Sequence, residues 1–472
     1  MCVSSHFRVG LTRIKRKLSS VSVFIQEGPP IKRKHEFLII KTERSEQAYI
    51  AVLAYFMKMQ PTRLPLQGNL PLRTAAATPS KCWLDFAAHE STLAPMIRTD
   101  VVIVTAIGAL LTAGSAHAQV NVEQIVAQKV QPILPKNGSG GGVAVAVRMN
   151  GKTSFFNYGM ADNARNRPVT ADSIFNLGSV GKVFATTLLA QAVKQGELSL
   201  DDPVAKYVTE LQRGGDIRRI TLGQLASHSS GLPRVPQQYE TWHRGRYTWP
   251  DFVRFLNSWK AAPNHEPGQQ YLYSNAAMVL LRVALERRFN TRFAALMHQR
   301  LTGPLGMTST ALPLPRDLLG RAVQGYGPMG KPIGRPSEEG GTFQWPGSGQ
   351  IYSSPRDMAT FLAANLGELP GHGAIENAMA FAQQGVFTVS QRLKIGLAWQ
   401  IVSAGNFTLI DKNGGLPNTS TYIGFAPRKK LGVVILVNRG KQHATGIGRQ
   451  IIHALAQDQS APSSEGEPNP DE

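Results

Sequence analysis

Cysteine is nearly absent from this chain. In 472 residues there are two, Cys2 and Cys82, both within the first hundred. That excludes a disulfide-stapled scaffold and a four-thiolate metal site, and everything after residue 82 must fold without thiol chemistry. A Gly-x-Ser-x-Gly elbow is also missing, as are His-Glu-x-x-His and His-x-His-x-Asp, which disfavours an α/β-hydrolase and the zinc hydrolases. No internal repeat recurs, so a solenoid or propeller is not expected. Acids are the minority charge, 31 Asp+Glu against 51 Lys+Arg, for a net +20. What is present, 42% hydrophobic and 8% aromatic residues with 17% charged, is the composition of a globular protein with room for a sizeable core.

Part of the charge imbalance sits in the first 118 residues. From Met96 the chain reads MIRTD, then VVIVTAIGALLTAG, then SAHA before Gln119. A basic residue, an apolar run and small residues at Ala116 and Ala118 are the layout of a cleavable signal peptide over residues 96–118. The run approaches the ~20 residues that span a bilayer, but it ends in small residues and a histidine instead of an aromatic and basic stop, so no stable membrane anchor is expected. An export signal cannot work from 95 residues inside a chain. Residues 1–95 are therefore read as an upstream extension, with Met96 as the natural start and KLSSVSVFIQEGPPIKRKHEF as unstructured. Beyond residue 118 there remain 36 basic and 24 acidic residues, a net +12. Those cations are dispersed and accompany no nucleic-acid-binding motif, so no nucleic-acid partner is expected. A thiol-free exported domain suits the oxidising periplasm.

In the exported part, VEQIVAQKVQ has helical spacing and PKNGSGGG is a break. GVAVAVRM and KTSFFNYG read as two strands joined by Asn150-Gly151, a strong hairpin signal. From KVFATTLLAQAVKQ to PRDMATFLAANL the segments are mostly helical. Strands return in GLAWQIVSA, FTLIDKNG, TYIGFAP and LGVVILVNR, followed by the helix GIGRQIIHALAQ. The expected fold class is α+β: an antiparallel sheet formed from both chain ends and flanked by helices, with a mainly helical lobe and a cleft between them. The acidic tail, residues 458–472, is read as disordered.

Three short patterns can carry chemistry. Ser179-Val180-Gly181-Lys182 places a hydroxyl at a helix start and an amine one turn later on the same face; no other Lys in the chain has Ser three positions before it. A buried, neutral amine can take the proton that makes a serine hydroxyl nucleophilic. Against this stands an ordinary helix start with Ser as cap. Tyr273-Ser274-Asn275, the only Tyr-x-Asn, lies at a turn into a helix. A phenol flanked by ammonium groups can share the serine proton, and the Asn amide can bind a substrate carbonyl; the plain alternative is a half-buried Tyr beside an Asn cap. Lys412-Asn413-Gly414 falls on an expected strand. It offers a cation for a substrate carboxylate and a glycine backbone able to approach closely, or else a hairpin turn with an exposed Lys.

Taken in order, these motifs resemble the Ser-x-x-Lys, Tyr-x-Asn and Lys-Thr-Gly set of class C (AmpC-type) serine β-lactamases, whose fold is shared by penicillin-binding DD-peptidases and some esterases. PVTADSIFNLGSVGKVF, GELSLDDPVAKY, ITLGQLASHSSGLP, PGQQYLYSN, LTGPLGMTSTAL and TYIGFAPRKKLGVVILVNR extend the resemblance over residues 119–457. It implies Ser179 as the acylated nucleophile, Lys182 and Tyr273 as the proton-handling pair, Asn275 as a contact to the substrate amide and the lysine, and Lys412 as the carboxylate anchor. The backbone N–H groups of Ser179 and Gly415 would form the oxyanion hole. The implied partner is a small-molecule β-lactam, whose ring is opened through an acyl-enzyme by a monomer needing no metal or cofactor. The seven His from His228 to His453 are scattered and read as packing or surface groups. Three departures bear on specificity. Asn413 stands where the family usually has Thr or Ser, Arg234 where it often has a Gln contacting the substrate side chain, and Gly349 where a Tyr commonly lines the cleft. A DD-peptidase or esterase with the same three residues is the alternative within the fold.

Overall fold

The computed structural model describes residues 21–24, 39–42, 122–136, 139–236, 247–334 and 350–458. The chain divides into two units, Met1–Pro95 and Met96–Glu472. In the first, β1 (Val21–Phe24) pairs antiparallel with β2 (Ile39–Thr42), Val21 opposite Thr42. The expectation that KLSSVSVFIQEGPPIKRKHEF lacks structure is thereby corrected at VSVF, a short run rich in strand-favouring residues. The rest of residues 1–95, the signal-like segment 96–118, Gly349 and the tail beyond Asp458 lie outside the described residues.

In the second unit, α1 (Val122–Val130) precedes β3 (Gly142–Met149), β4 (Lys152–Asp162), β5 (Arg167–Pro168) and β6 (Phe175–Asn176). A 3₁₀ turn, Gly178–Gly181, leads into α2 (Lys182–Lys194), followed by α3 (Leu222–Ala226), α4 (Trp249–Ser258), α5 (Asn275–Phe289) and α6 (Phe293–Met297). Next come β7 (Tyr352–Ser353), α7 (Pro355–Asn365) and α8 (Gly373–Ala382). The chain then runs through β8 (Phe387–Ser390), β9 (Leu393–Ile395), β10 (Gln400–Ala404), β11 (Phe407–Leu416), β12 (Thr419–Ala426) and β13 (Leu431–Val437), and ends the described part in α9 (Ala444–Asp458).

One antiparallel sheet of nine strands, in the order β5-β4-β3-β13-β12-β11-β10-β9-β8, joins the two ends of the unit through the β3–β13 pair. Period-two alternation assigns its faces. Val143, Val145, Val433, Ile435 and Val437 pack with α1 and α9, whereas Ala144, Ala146, Val434 and Leu436 pack with the helical lobe. The sheet is thus buried on both sides, an α+β sandwich. Asn150 and Gly151 form the β3–β4 turn with φ of 50° and 77°, the left-handed pair that a two-residue hairpin requires.

Every residue of α2 from Lys182 to Ala192 is buried, as befits a helix apolar on nearly all sides and surrounded by others. Phe184 stacks on Phe361 of α7 with centroids 4.5 Å apart, worth about 0.5–1.5 kcal/mol beyond its area. Lys182 is therefore an ionisable group buried at the first position of this helix. The strand expected over GLAWQIVSA is shorter than its composition implies, because Ala398 has φ of +64° and β10 begins only at Gln400. Helix α8 and strands β8 and β9 were not legible beforehand. Their residues carry no sustained period that distinguishes them from the neighbouring loops.

Candidate active site

The nucleophile turn is tied to the sheet by side chains rather than by sequence neighbours. Thr421 on β12 donates its hydroxyl to the Leu177 carbonyl at 2.7 Å, and Asn176 Oδ1 accepts the Gly178 N–H at 2.8 Å. Gly178 has φ of +52°, a conformation that a Cβ would strain. Close approach governs the other side: a Cβ on Gly414 would lie 2.3 Å from the Leu177 carbonyl oxygen and 2.9 Å from Ser179 N, and one on Gly178 would lie 3.0 Å from Gly415 N. The backbone N–H groups of Ser179 and Gly415 consequently lie on adjoining backbones. From Ser173 to Ala192, Ser179 alone is partly exposed.

Lys182 Nζ lies 3.0 Å and Tyr273 Oη 2.7 Å from Ser179 Oγ. The one-turn spacing brings the lysine there; the tyrosine arrives from 94 residues away and is held by the loop 228–234. Leu272 N donates to the His228 carbonyl at 2.8 Å, and Ser274 N donates to His228 Nδ1 at 3.3 Å. The Ser274 hydroxyl donates to the Pro233 carbonyl at 2.7 Å while accepting the Ala277 N–H at 2.9 Å. Ser274, not Asn275, thus caps α5, so the Asn275 side chain is not used as a cap. Its Oδ1 is buried with no hydrogen-bond partner among the described residues, an acceptor awaiting a donor.

Lys412 is buried on β11, on the same face as its partner Ile423, with Nζ 5.1 Å from the Tyr273 ring centroid. β10 pairs with β11 only as far as Asp411, so residues 412–416 present a strand edge that no described strand covers. The reading of Asn413-Gly414 as a hairpin turn does not hold, since both continue the ladder with Tyr422 and Thr421. Asn413 is exposed and leaves the strand on the face opposite Lys412, and Gly415 is exposed two residues on.

Burial sets the protonation states. Taking a lysine out of water penalises its ammonium form. Lys182 is lowered to about 7, by burial first and by Arg234 second. Lys412 is lowered to about 8 by burial, with Lys182 adding to the shift and Tyr273 and Asp411 opposing it. The adjacent Asp411 faces the other way, where Arg449 Nε reaches it at 2.6 Å and the Tyr422 hydroxyl at 3.2 Å. His228 falls well below the usual imidazole range through burial and the two lysines. Its ring packs against Tyr273 at 4.6 Å between centroids, so this histidine belongs to the wall of the site. A hydroxyl that solvent reaches, touched by an amine that is half neutral at pH 7 and by a phenol, is a set able to move a proton and form a covalent acyl intermediate.

The β-lactamase family model matches residues 122–457, about 71% of the chain. The chain belongs to the β-lactamase family. Among curated β-lactamases, that of Pseudomonas fluorescens is 29% identical over 368 residues, covering 71% of this chain and 98% of the relative. That of Escherichia coli (strain K12) is 27% identical over 390 residues, covering 74% and 99%. A solved class C β-lactamase superposes with a TM-score of 0.64 at 25% identity, over 72% of this chain and 99% of that one. A structure described as the D-alanine carboxypeptidase AmpC from Burkholderia cenocepacia gives 0.62 at 28%, over 71% and 99%. The fold is accordingly the β-lactamase/transpeptidase-like one. Reading the sequence missed His228, Asn176 and Thr421 as parts of this β-lactamase-family site. None carries a local pattern that separates it from ordinary core or turn residues.

Proposed function

We propose that this chain is a class C-type serine β-lactamase, which opens the amide of penicillins or cephalosporins through an acyl-enzyme on Ser179. The observation that carries the reading is the pair of short distances to Ser179 Oγ, 3.0 Å from Lys182 Nζ and 2.7 Å from Tyr273 Oη. In the forward step Ser179 Oγ attacks the lactam carbonyl carbon while its proton passes to the Lys182–Tyr273 pair. The backbone N–H groups of Ser179 and Gly415 hold the developing oxyanion. The same proton is delivered to the lactam nitrogen as the C–N bond breaks. The Lys182–Tyr273 pair, with the neutral amine as the net base acting through the phenol, then takes a proton from water as the water oxygen attacks the ester carbon; the C–Oγ bond breaks and the pair returns that proton to Ser179 Oγ, which regenerates the enzyme. Lys412 holds the substrate carboxylate and Asn275 contacts the substrate amide, while Asn413, expected from the sequence to share the carboxylate, leaves β11 on the opposite face and takes no part. We further propose export to the periplasm through cleavage of residues 96–118, a working domain of residues 119–457, and action as a monomer. The signal-like layout of 96–118 supports the first of these.

The test is turnover of a chromogenic cephalosporin by the full chain, Ser179→Ala and Tyr273→Phe. Loss of ~10³-fold or more is expected for the serine change, the usual consequence of removing a covalent nucleophile. Mass spectrometry of the penicillin-treated protein separates the second reading, favoured by the carboxypeptidase neighbour. A peptidase holds a lasting adduct on Ser179, whereas a lactamase releases it. For export, the first residue of the periplasmic protein should be Gln119; a start well upstream would overturn it.

A further inference from the structure

The cations around Tyr273 outnumber what a single carboxylate needs. Besides Lys182 Nζ at 5.0 Å and Lys412 Nζ at 5.1 Å, the Arg234 guanidinium carbon lies 5.7 Å from the ring centroid. Arg234 is exposed, and among the described residues no carboxylate pairs with it. Asp411, the acid next to Lys412, is turned to the opposite face and engaged by Arg449. The structural duty of Arg234 falls to its backbone: its carbonyl accepts Asn275 N at 2.9 Å and Ala276 N at 3.3 Å, closing the start of α5. Its side chain is left over among the described residues, a planar fork suited to bidentate binding of a carboxylate, carried by the loop that closes the start of α5, whereas Lys412 comes from β11.

We propose that Arg234 makes this site selective for substrates with two carboxylates, one held at Lys412 and a second on the acyl side chain, bound by the Arg234 guanidinium. The proposal rests on the lactamase reading above. A monoanionic substrate answers Lys412 and leaves Arg234 unmatched; a dianionic one neutralises both and adds an ion pair where water otherwise solvates the guanidinium. The alternative duty for Arg234, lowering the pKa of Lys182 through its charge, acts on every substrate equally, so a ratio between two substrates isolates the ion pair.

The experiment measures kcat/KM of the full chain for benzylpenicillin and for its α-carboxy derivative, which differ by one carboxylate, from the loss of β-lactam absorbance; kcat/KM reports the steps up to acylation, so the rate of deacylation does not enter. Arg234→Gln should lower the ratio of α-carboxy to parent kcat/KM by about two- to fivefold, the upper part of the range for a solvent-accessible ion pair. Arg234→Lys, which keeps the charge without the fork, should retain a good part of it. Raising the salt to about 1 M should narrow the wild-type ratio toward that of Arg234→Gln. A ratio unchanged by Arg234→Gln overturns the proposal while leaving the lactamase reading intact. A wild-type chain that neither consumes benzylpenicillin nor carries it on Ser179 overturns both.

Discussion

Replacing Lys182 with methionine should make the protein more stable and inactive, and the gain in stability should depend on pH in a calculable way. The lysine is fully buried and its pKa falls from 10.5 to about 7 on folding. Between those two values the unfolded chain binds the proton that the folded chain has released. Stability of the wild type therefore rises with pH across this window, is fully recovered above 10.5, and is lost as pH falls toward 7. The penalty is about 4 kcal/mol at pH 7 and about 2 kcal/mol at pH 9, from one proton at about 1.4 kcal/mol per pH unit. Lys182→Met removes the titrating group and nothing else that titrates. Lys412 and His228 remain in both proteins, and their contributions largely cancel. Urea unfolding followed by circular dichroism, at pH 7 and at pH 9, should give a stability difference between variant and wild type that is about 2 kcal/mol larger at pH 7. Removing the hydrogen bond between Lys182 and Ser179 adds an offset that does not change with pH. A difference that stays flat between pH 7 and pH 9 would mean that the folded state keeps the ammonium, and the amine could not then accept the serine proton at neutral pH.

The same group should appear in kinetics: kcat/KM of the wild type should rise with pH through about 7, where the free enzyme's amine becomes neutral. In Arg234→Gln this limb should move to higher pH, because a nearby cation that disfavours the ammonium has been removed; an unmoved limb would assign the titration to another group. Gly414→Ala should abolish acylation, since the added methyl meets the Leu177 carbonyl and Ser179 N; a folded, fully active Gly414→Ala by circular dichroism and cephalosporin turnover would refute the close approach of β11 to the nucleophile turn. Thr421→Val should cost about 0.5–1.5 kcal/mol in urea unfolding, because the Leu177 carbonyl loses the 2.7 Å bond from the Thr421 hydroxyl while keeping the 3.1 Å one from Val180 N. It should also lower kcat more than it raises KM.

Legibility followed the range of the interaction. Ser179 and Lys182 were readable together because a helical turn is a local object: three residues of separation already place both groups on one face. Strands β3, β12 and β13 were readable as short apolar, β-rich runs, the pattern of strands covered on both faces, β4 by its alternation, and Asn150-Gly151 because only a few residue types tolerate left-handed backbone. Tyr273 and Lys412 were recognisable as motifs, yet each had a plain reading as a cap neighbour or a turn. No local pattern could decide between them, because the deciding interactions span 94 residues for Tyr273 and a nine-stranded sheet for Lys412. In the structure Ser274 rather than Asn275 is the cap, and Asn413 and Gly414 continue along the ladder instead of turning.

The residue order, by itself, determined an α+β chain without thiols beyond residue 82 and an amine one helical turn from a hydroxyl. Only the tertiary structure decided that this amine is dry, that a phenol meets the same hydroxyl, and that His228 walls the site while the Arg234 side chain meets no carboxylate among the described residues. Burial and cross-chain packing set pKa values and charge balance, and both arise only when distant segments exclude water from one another.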